Sequence, residues 1–207
     1  MKFQGKTAIV TGGSRDIGRA ISVKLASEGA NVVVNYFSNE GDADATLAAI
    51  DAAGGGKAIK VRADVTKSED VAKLVAAATD AFGEGIDILV NNAGGLVARK
   101  PLAEMDEEFF NHVMQLNLTS TFLATKAAAE HMGEGGAIVN LASLAGRDGG
   151  GGGAAAYATS KGAVMTFTRA MAKELGPRGI RVNALCPRMI ATAFHDKFTP
   201  DTARENV

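Results

Sequence analysis

The stretch Thr11-Gly12-Gly13-Ser14-Arg15-Asp16-Ile17-Gly18 joins a short apolar run, residues 6–10, to a helical pattern at residues 17–28. An apolar run that ends in glycines predicts a buried strand followed by a tight turn. Glycine in such a turn lets the backbone approach a pyrophosphate, and the N-terminus of the next helix supplies N–H donors. The stretch therefore predicts a strand–turn–helix unit that either binds a dinucleotide or is a glycine-rich turn without a ligand.

The rest of the chain repeats this alternation of short apolar runs and helical patterns. Further strands are predicted at residues 31–35, 57–61, 86–90, 137–141 and 180–185. Further helices are predicted at residues 42–53, 69–82 (with Ser68 as N-cap), about 102–132 with a break, and 157–175. The alternation indicates βαβ units and a parallel, doubly wound sheet covered on both faces, in a single domain over residues 1–207. Five successive glycines at 149–153 predict a flexible connection.

Composition limits the class of protein. Of the 207 residues, 46% are hydrophobic and 22% charged, as in soluble globular proteins. A formal net charge of −1 provides no attraction to nucleic acid or to an anionic membrane, and no apolar run reaches the ~20 residues that span a bilayer. One cysteine and three histidines without ligand spacing predict no disulfide and no metal site. The amino terminus leads straight into a strand and leaves no room for a signal peptide, so we expect a cytoplasmic protein.

A tyrosine and a lysine lie four residues apart in Tyr157-Ala158-Thr159-Ser160-Lys161. At this spacing the two side chains share one face of a helix. An ammonium beside a phenol favours the phenolate, so we expect the pKa of Tyr157 to fall below its usual value of about 10. A phenol tuned in this way can exchange a proton with a carbonyl or alcohol oxygen, although the same spacing also occurs on solvated helix faces.

Polar residues follow the other predicted strands. Asp64 and Val65 come after the third strand, where an adenine ring could rest, and residues 91–94 form an Asn-Asn-Ala-Gly turn after the fourth. Asn117 lies inside a helix, where asparagine is disfavoured, and Ser143 follows the fifth strand. Each residue alone is compatible with a cap, a turn or a satisfied polar group. Ligands of open parallel sheets bind at the carboxyl ends of the strands, so the recurrence favours a binding site there.

Together these motifs resemble the short-chain dehydrogenases/reductases over nearly the whole chain. The glycine motif of that family is similar to residues 11–18, its Asn-Asn-Ala-Gly motif to residues 91–94, and its Pro-Gly-x-Ile-x-Thr segment to residues 187–192. The catalytic residues of the family match Asn117, Ser143, Tyr157 and Lys161. The resemblance implies an α/β fold: a three-layer, doubly wound Rossmann fold with a mostly parallel sheet.

The resemblance also implies residue roles. Tyr157 would be the general acid/base, and Ser143 would hydrogen-bond the substrate oxygen. Lys161 would hold the nicotinamide ribose and lower the pKa of Tyr157, and Asn117 would support a proton-relay water. The cofactor-binding residues it implies are Gly12, Ser14, Arg15, Ile17, Gly18, Asn35, Asp64, Val65, Asn91, Ala93, Gly94, Tyr157, Lys161, Pro187, Ile190 and Thr192. The walls of the substrate pocket should come from residues 95–100, 144–156 and the tail after residue 190.

The end of the second strand bears on the choice of cofactor. A carboxylate there would select the free ribose hydroxyl of NAD. This chain has the neutral residues Asn35 and Tyr36 at that place, and Arg15 can bind a 2′-phosphate through charge-assisted hydrogen bonds. We therefore predict that NADP(H) is preferred, with NAD(H) as the other candidate.

These residues predict an NADP(H)-dependent oxidoreductase that reduces a ketone or oxidises the matching alcohol, resembling 3-oxoacyl-acyl-carrier-protein reductases. Arg178 and nearby basic residues suit an acidic acyl carrier protein, whereas Glu134 does not, so carrier-bound and small polar substrates both stay open. The alternatives are a sugar or polyol dehydrogenase using NAD(P), a cofactor-binding protein that has lost turnover, and a structural subunit of an oligomer. We expect a homo-oligomer, either a tetramer or a dimer.

Three features depart from the family pattern. Asp16 stands where the family usually has its second glycine, and Arg188 replaces the glycine of Pro-Gly. The Asp16 carboxylate either caps the first helix, in competition with a pyrophosphate, or turns outward to solvent or to Arg19; we favour the second arrangement. The sequence also ends at Val207, so the fold is expected to lack the usual final helix and strand.

Overall fold

The computed structural model describes residues 1–192 and Phe198. Six strands form one sheet in the order β3-β2-β1-β4-β5-β6, and every pairing is parallel. The strands are β1 (Thr7–Val10), β2 (Asn31–Tyr36), β3 (Ala58–Arg62), β4 (Ile88–Asn91), β5 (Ala137–Leu141) and β6 (Arg181–Leu185). The α-helices are α1 (Asp16–Ser27), α2 (Glu40–Ala53), α3 (Ser68–Phe82), α4 (Glu107–Met114), α5 (Ser120–Glu130), α6 (Ala145–Asp148) and α7 (Ala155–Leu175). The predicted doubly wound α/β fold is confirmed.

The central strands are buried on both faces, which explains their continuous apolar sequence. Val33 faces a core that includes Leu74 of α3 and Ala128 of α5. Val32 and Val34 face the opposite core, which includes Ala26 of α1 and Ile50 of α2. Helices therefore cover the sheet on both sides, and all six strands end at the same edge.

The long helical region after Pro101 is broken, as predicted. A 3₁₀ turn at Leu102–Glu104 precedes α4, which begins where the Asp106 carboxylate accepts a hydrogen bond from the backbone N–H of Phe109 at 2.7 Å. A π-helical turn, Gln115–Thr119, then joins α4 to α5 without interruption. Within an α-helix such a turn adds a residue and is frequent at functional sites.

Two local predictions were wrong. Ser68 is the first residue of α3 rather than its N-cap; Lys67 occupies the N-cap and contributes no side-chain hydrogen bond. The glycine segment, residues 149–153, is tied down by backbone hydrogen bonds rather than free: Lys100 N–H donates to Gly153 O at 3.0 Å, and Ala154 N–H donates to Gly151 O at 3.1 Å.

Two further observations concern the described residues. None of their helices is both long enough and apolar enough to cross a membrane. Nor do they contain a group of three or more His, Cys, Asp or Glu side chains placed to hold a metal ion. The predicted lack of a final helix and strand concerns residues 193–207, which, apart from Phe198, lie outside the described residues.

Candidate active site

A cavity of about 1050 Å³ opens at the carboxyl ends of the strands. Its walls come from the segments that follow β1, β2, β4, β5 and β6, together with α7. The site residues expected from sequence that line it are Gly12, Ser14, Arg15, Ile17, Gly18, Ala93, Gly94, Ser143, Tyr157, Lys161, Pro187, Ile190 and Thr192. The structure thus brings together side chains from distant parts of the chain at the edge where the sequence analysis expected a site.

The glycine turn after β1 is tightly built. Gly12 has a φ of 58°, in the left-handed region. A Cβ on Gly18 would overlap the Gly12 carbonyl oxygen, so only glycine fits the start of α1 against the turn. The Asn92 side-chain amide donates to the carbonyl oxygens of Thr11 at 3.0 Å and Gly12 at 2.9 Å, which fixes the turn to the end of β4.

Asp16 begins α1 in a left-handed conformation, with a φ of 50°. One of its carboxylate oxygens lies 3.8 Å from the Arg15 guanidinium. Arg19, the partner expected from the sequence, instead donates to the Ser14 carbonyl at 3.0 Å and to the Thr46 hydroxyl at 2.8 Å. Arg15, a residue of the same turn, is therefore a charged neighbour of Asp16.

Asn35 lies behind the turn rather than in the cavity wall. It is buried, its side-chain oxygen accepts a hydrogen bond from Gly12 N–H at 3.0 Å, and its amide donates to Ala63 O at 3.1 Å. The residues at and just past the end of β2 that do line the cavity are Tyr36, Phe37, Ser38, Asn39 and Asp42. The strand was predicted to end one residue earlier, at Asn35, and Tyr36 is the one member of this group that was identified from the sequence.

Asp64, Val65 and Asn91 also lie outside the cavity wall. The Asp64 carboxylate accepts hydrogen bonds from the backbone and hydroxyl of Thr66, and Val65 is part of the core. The Asn91 amide is buried and donates to the Asn140 side chain at 2.8 Å and the Thr125 hydroxyl at 3.0 Å. These contacts stabilise turns and neighbouring elements, so the structure does not bring the three side chains to the cavity as expected.

Lys161 and Tyr157 lie one turn apart on α7, close to Ser143. The Lys161 Nζ donates to the Leu141 carbonyl oxygen at 2.5 Å and lies 5.9 Å from the centre of the Tyr157 ring. A hydrogen bond joins the side chains of Tyr157 and Ser143. The two hydroxyl groups and the ammonium therefore converge on one region of the cavity.

The pKa of Tyr157 is raised, because burial disfavours the phenolate; the hydrogen bond with Ser143 lowers it only in part. The expectation that this pKa falls was wrong, since burial is the dominant cause and the Lys161 ammonium donates to the Leu141 carbonyl oxygen. Burial also lowers the pKa of Lys161 itself, to about 8. Both residues therefore pass from the charged to the neutral form more readily than they would in water.

Asn117 lies in the π-helical turn and is fully buried, outside the cavity wall. Its side-chain oxygen accepts from Gly95 N–H at 3.0 Å, and its amide donates to Gly95 O at 2.9 Å and Val113 O at 2.9 Å. A Cβ on Gly94 would lie 2.5 Å from the Asn117 oxygen and 3.1 Å from the Lys161 Nζ. Asn117 thus holds the backbone that passes directly over Lys161.

The remaining wall comes from two segments that the sequence predicted as walls of the substrate pocket, residues 95–100 and 144–156. Leu96, Val97 and Arg99 come from the segment after β4, and Asp148 comes from α6. Two of these side chains, Arg99 and Asp148, are charged.

Two relatives of known sequence show what the chain is similar to. The sequence pattern of the short chain dehydrogenase family matches residues 6–203. A 3-oxoacyl-[acyl-carrier-protein] reductase of Synechocystis sp. is 44% identical over 189 residues, covering 90% of this chain and 75% of the relative. Glucose 1-dehydrogenase 2 of Bacillus subtilis is 41% identical over 194 residues, covering 91% of this chain and 73% of the relative.

Two solved structures are similar throughout the fold. A short chain dehydrogenase from Burkholderia cenocepacia in complex with NADP superposes with a TM-score of 0.92 at 38% identity, covering 100% of this chain and 84% of that one. The NADH-dependent reductase A1-R′ complexed with NAD has a TM-score of 0.85 at 36% identity, covering 91% of this chain and 80% of that one. Proteins of this fold therefore include both NAD and NADP complexes.

Proposed function

The chain belongs to the short-chain dehydrogenase family of NAD(P)-dependent oxidoreductases, and from this premise we propose an NADP(H)-dependent enzyme that reduces a ketone or oxidises the matching alcohol. The convergence of Ser143, Tyr157 and Lys161 in the cavity that also contains the glycine turn carries the proposal. A bound nicotinamide would supply or accept the hydride. The chain provides binding, orientation and the proton.

The geometry of the cavity fits a dinucleotide. Glycine at positions 12 and 18 leaves the turn without side chains that would block an approaching pyrophosphate, and the N-terminus of α1 supplies a favourable dipole. The Arg15 side chain at N-cap makes no capping hydrogen bond and lines the same wall. Gly94 leaves room beside Lys161, where a ribose would lie.

Tyr157 acts as the proton donor in reduction. Its raised pKa keeps the phenol protonated at neutral pH, as a general acid requires. The Ser143 hydroxyl shares a hydrogen bond with it, so both groups can contact one carbonyl oxygen. After proton transfer, the Ser143 hydroxyl can donate a hydrogen bond to the phenolate. Lys161, which is charged below its pKa of about 8, would hold the ribose of the cofactor.

Asn117 positions the substrate side of the cavity. Its side chain accepts a hydrogen bond from Gly95 N–H and donates one to Gly95 O, and so aligns the backbone that leads to Leu96 and Val97. Its own carbonyl oxygen accepts from the Thr121 hydroxyl at 2.9 Å. In this role it acts through the loop and through Lys161, in agreement with its complete burial.

A preference for NADP(H) is supported by the end of β2. Tyr36, Phe37 and Ser38, which follow one another there, carry no negative charge, and the exposed Arg15 guanidinium is near enough to the same wall to contact a 2′-phosphate. Asp42 is the one carboxylate of this group in the described wall, and it lies 3.9 Å from Arg19. The expected result is a higher kcat/KM with NADPH than with NADH.

A small polar carbonyl compound is favoured over a carrier-bound one by the environment of Arg178. Its guanidinium donates to the Ala129 and Met132 carbonyl oxygens at 2.6 and 3.0 Å, at the end of α5, and Glu134 packs against Gly179 beside it. The arginine thus has a structural role that the acyl-carrier argument did not foresee. Sugar or polyol oxidation is the second candidate, supported by the identity to a glucose dehydrogenase.

We also propose that the protein is a cytoplasmic homo-oligomer, a dimer or a tetramer. Phe122 of α5 is 43% exposed and packs edge-on against Phe167 of α7 at a centroid distance of 6.3 Å. An exposed phenylalanine that packs on a half-buried one is a favourable contact for a second subunit. Sedimentation of the purified protein tests the oligomeric state.

The test of function is a panel of ketones, 3-oxoacyl thioesters and sugars, assayed with both cofactors. Tyr157→Phe should reduce kcat by about 10²–10⁴-fold, because the acid/base proton is lost. NADPH binding, measured by fluorescence titration, should persist. Thr159→Ala, on the exposed part of the same helix, is the control. Near-normal turnover in Tyr157→Phe would refute the assignment, whereas cofactor binding without any turnover by the native protein would support a protein that has lost activity.

A further inference from the structure

We propose that Arg99 recognises an oxyanion, either a carboxylate or a phosphate, on the carbonyl substrate. The inference deepens the proposed function and rests on it. It depends on three observations: the strained turn that places Arg99, the neutral partners that orient its guanidinium, and the charges of the surrounding cavity wall.

A strained turn places Arg99 at the cavity. Ala98 N–H donates to the Leu96 carbonyl oxygen at 2.8 Å, and the residue between them, Val97, has a φ of 66°. This is a γ-turn of the positive-φ kind, which is rare and strained. A β-branched residue is especially unfavourable in that region. The side chain of Leu96, the first residue of the turn, is buried and anchors it. Backbone strain like that at Val97 is typically found at ligand-binding sites.

The guanidinium of Arg99 is held by neutral acceptors. Its Nη1 donates to the Gly152 carbonyl oxygen at 2.8 Å, and its Nε donates to the Phe198 carbonyl oxygen at 3.1 Å. A Cβ on Gly151 would lie 3.3 Å from Nη1, so the glycine segment permits this close approach. Carbonyl oxygens orient the group without neutralising its charge.

Part of the guanidinium remains available. An arginine has five N–H donors, and within the described part of the chain two of them are used by Gly152 and Phe198. The ion pairs formed by arginines in this part of the chain belong to Arg15 and Arg19. The remaining donors of Nη1 and Nη2 lie side by side in the geometry that binds a carboxylate or phosphate bidentately.

The charges of the wall favour an anion on the substrate side. Asp16 and Asp42 lie beside Arg15 and Arg19, at the glycine turn. The other carboxylate in the described wall is Asp148, whose oxygen accepts from Gly150 N–H at 2.9 Å. Besides Arg99, three cationic side chains in the described part of the chain line the cavity: Arg15 at the glycine turn, and Arg188 and Lys161. The positive groups outnumber Asp148 where the substrate must enter, which raises the local concentration of anionic substrates.

Matched substrate pairs test the proposal and distinguish the two kinds of oxyanion. One pair is a keto acid and its methyl ester, which differ by a carboxylate charge. The other is a 3-oxoacyl thioester of 4′-phosphopantetheine and that of pantetheine, which differ by a phosphate. The native protein should prefer the anionic member of at least one pair, and Arg99→Gln should reduce that preference in kcat/KM at least about tenfold. Arg99→Lys should retain part of it.

The control is Arg147→Gln, which removes a charge from the exposed residue next to Asp148 but outside the cavity wall, and it should leave the preference unchanged. If Arg99 had a purely structural role, holding Gly152 and Phe198, then Arg99→Gln would lower kcat/KM equally for both members of each substrate pair. That result, or no preference for either anion in the native protein, would overturn the inference while leaving the proposed function intact.

A binding measurement separates this inference from the proposed function. Calorimetric titration of the NADPH-loaded protein with hexanoate and with hexanamide requires no turnover. Hexanoate should bind more tightly, and Arg99→Gln should remove the difference. Equal binding of the two probes by the native protein would refute the anion site, whether or not any compound of the panel is reduced.

Discussion

Replacing Lys161 with methionine should abolish turnover and yet stabilise the folded protein near neutral pH. Burial lowers the pKa of Lys161 from 10.5 to about 8, which means that the folded state disfavours the ammonium. Each pKa unit is worth about 1.4 kcal/mol, so the charged side chain costs roughly 3 kcal/mol of the free energy of unfolding. Methionine has a similar length and no charge. It leaves the Leu141 carbonyl without its Lys161 donor, a cost of about 1–2 kcal/mol, so the net gain should be about 1–2 kcal/mol.

The difference in the free energy of unfolding between Lys161→Met and the native protein should depend on pH, in a direction that the two pKa values of Lys161 determine. Between a pKa of about 8 in the folded state and 10.5 in the unfolded state, the unfolded chain binds a proton that the folded protein has released. The free energy of unfolding of the native protein therefore rises with pH across this window, and the full cost of the charge is present below it. The advantage of Lys161→Met should shrink by roughly 2 kcal/mol from about pH 7 to about pH 9.5. Tyr157 adds little in this range, because its pKa is raised above the ordinary value.

Urea unfolding of the cofactor-free protein at the two pH values measures the effect. Lys173→Met, an exposed lysine on the same helix, is the control and should show no pH-dependent difference from the native protein. If Lys161→Met were less stable than the native protein near pH 7, with a deficit that did not vary with pH, the pKa of Lys161 would not be lowered in the folded state, and the prediction would be refuted.

Two further substitutions test the residues with a positive φ. Asp16→Gly should change NADPH affinity by less than about tenfold, because the carboxylate lies beside Arg15; much tighter binding at low salt than at high salt would instead show that it repels the pyrophosphate. Val97→Asn should cost less than about 1 kcal/mol in urea unfolding, because asparagine tolerates the left-handed region that valine disfavours. A larger loss would show that the Val97 side chain stabilises the turn through packing.

The order of elements could be predicted because each strand and helix has its own apolar period. The strand ends could also be found, since glycine, asparagine and serine mark the turns after β1, β4 and β5. The direction in which a side chain points could not be predicted from the sequence. Asn35, next to the last residue of β2, and Asn91, the last residue of β4, lie on the two strands that flank β1, yet both side chains turn into the protein and hydrogen-bond to buried groups. One residue of register decides whether such a side chain faces the cavity.

The charge states of Tyr157 and Lys161 show a second limit. Their spacing correctly placed them one turn apart, but the sequence contains no measure of how deeply α7 is buried. Depth reverses the expected direction of the Tyr157 pKa, and the Leu141 carbonyl that binds Lys161 comes from a distant strand. Arg178 was likewise assigned to a partner protein, although the end of α5 is its partner. Long-range contacts of this kind arise only from the folded topology.

The π-helical turn at Gln115–Thr119 has a consequence for the helix on either side of it. One additional residue rotates everything that follows by about 100° around the axis, since an α-helix has 3.6 residues per turn. In the helix that follows the turn, Thr121 is buried and Phe122 is exposed. Deleting a single residue here would restore a regular helix, yet it would swing the Asn117 amide away from Gly95. The irregular turn thus sets the direction of the Asn117 side chain, whose amide contacts the loop that passes over Lys161.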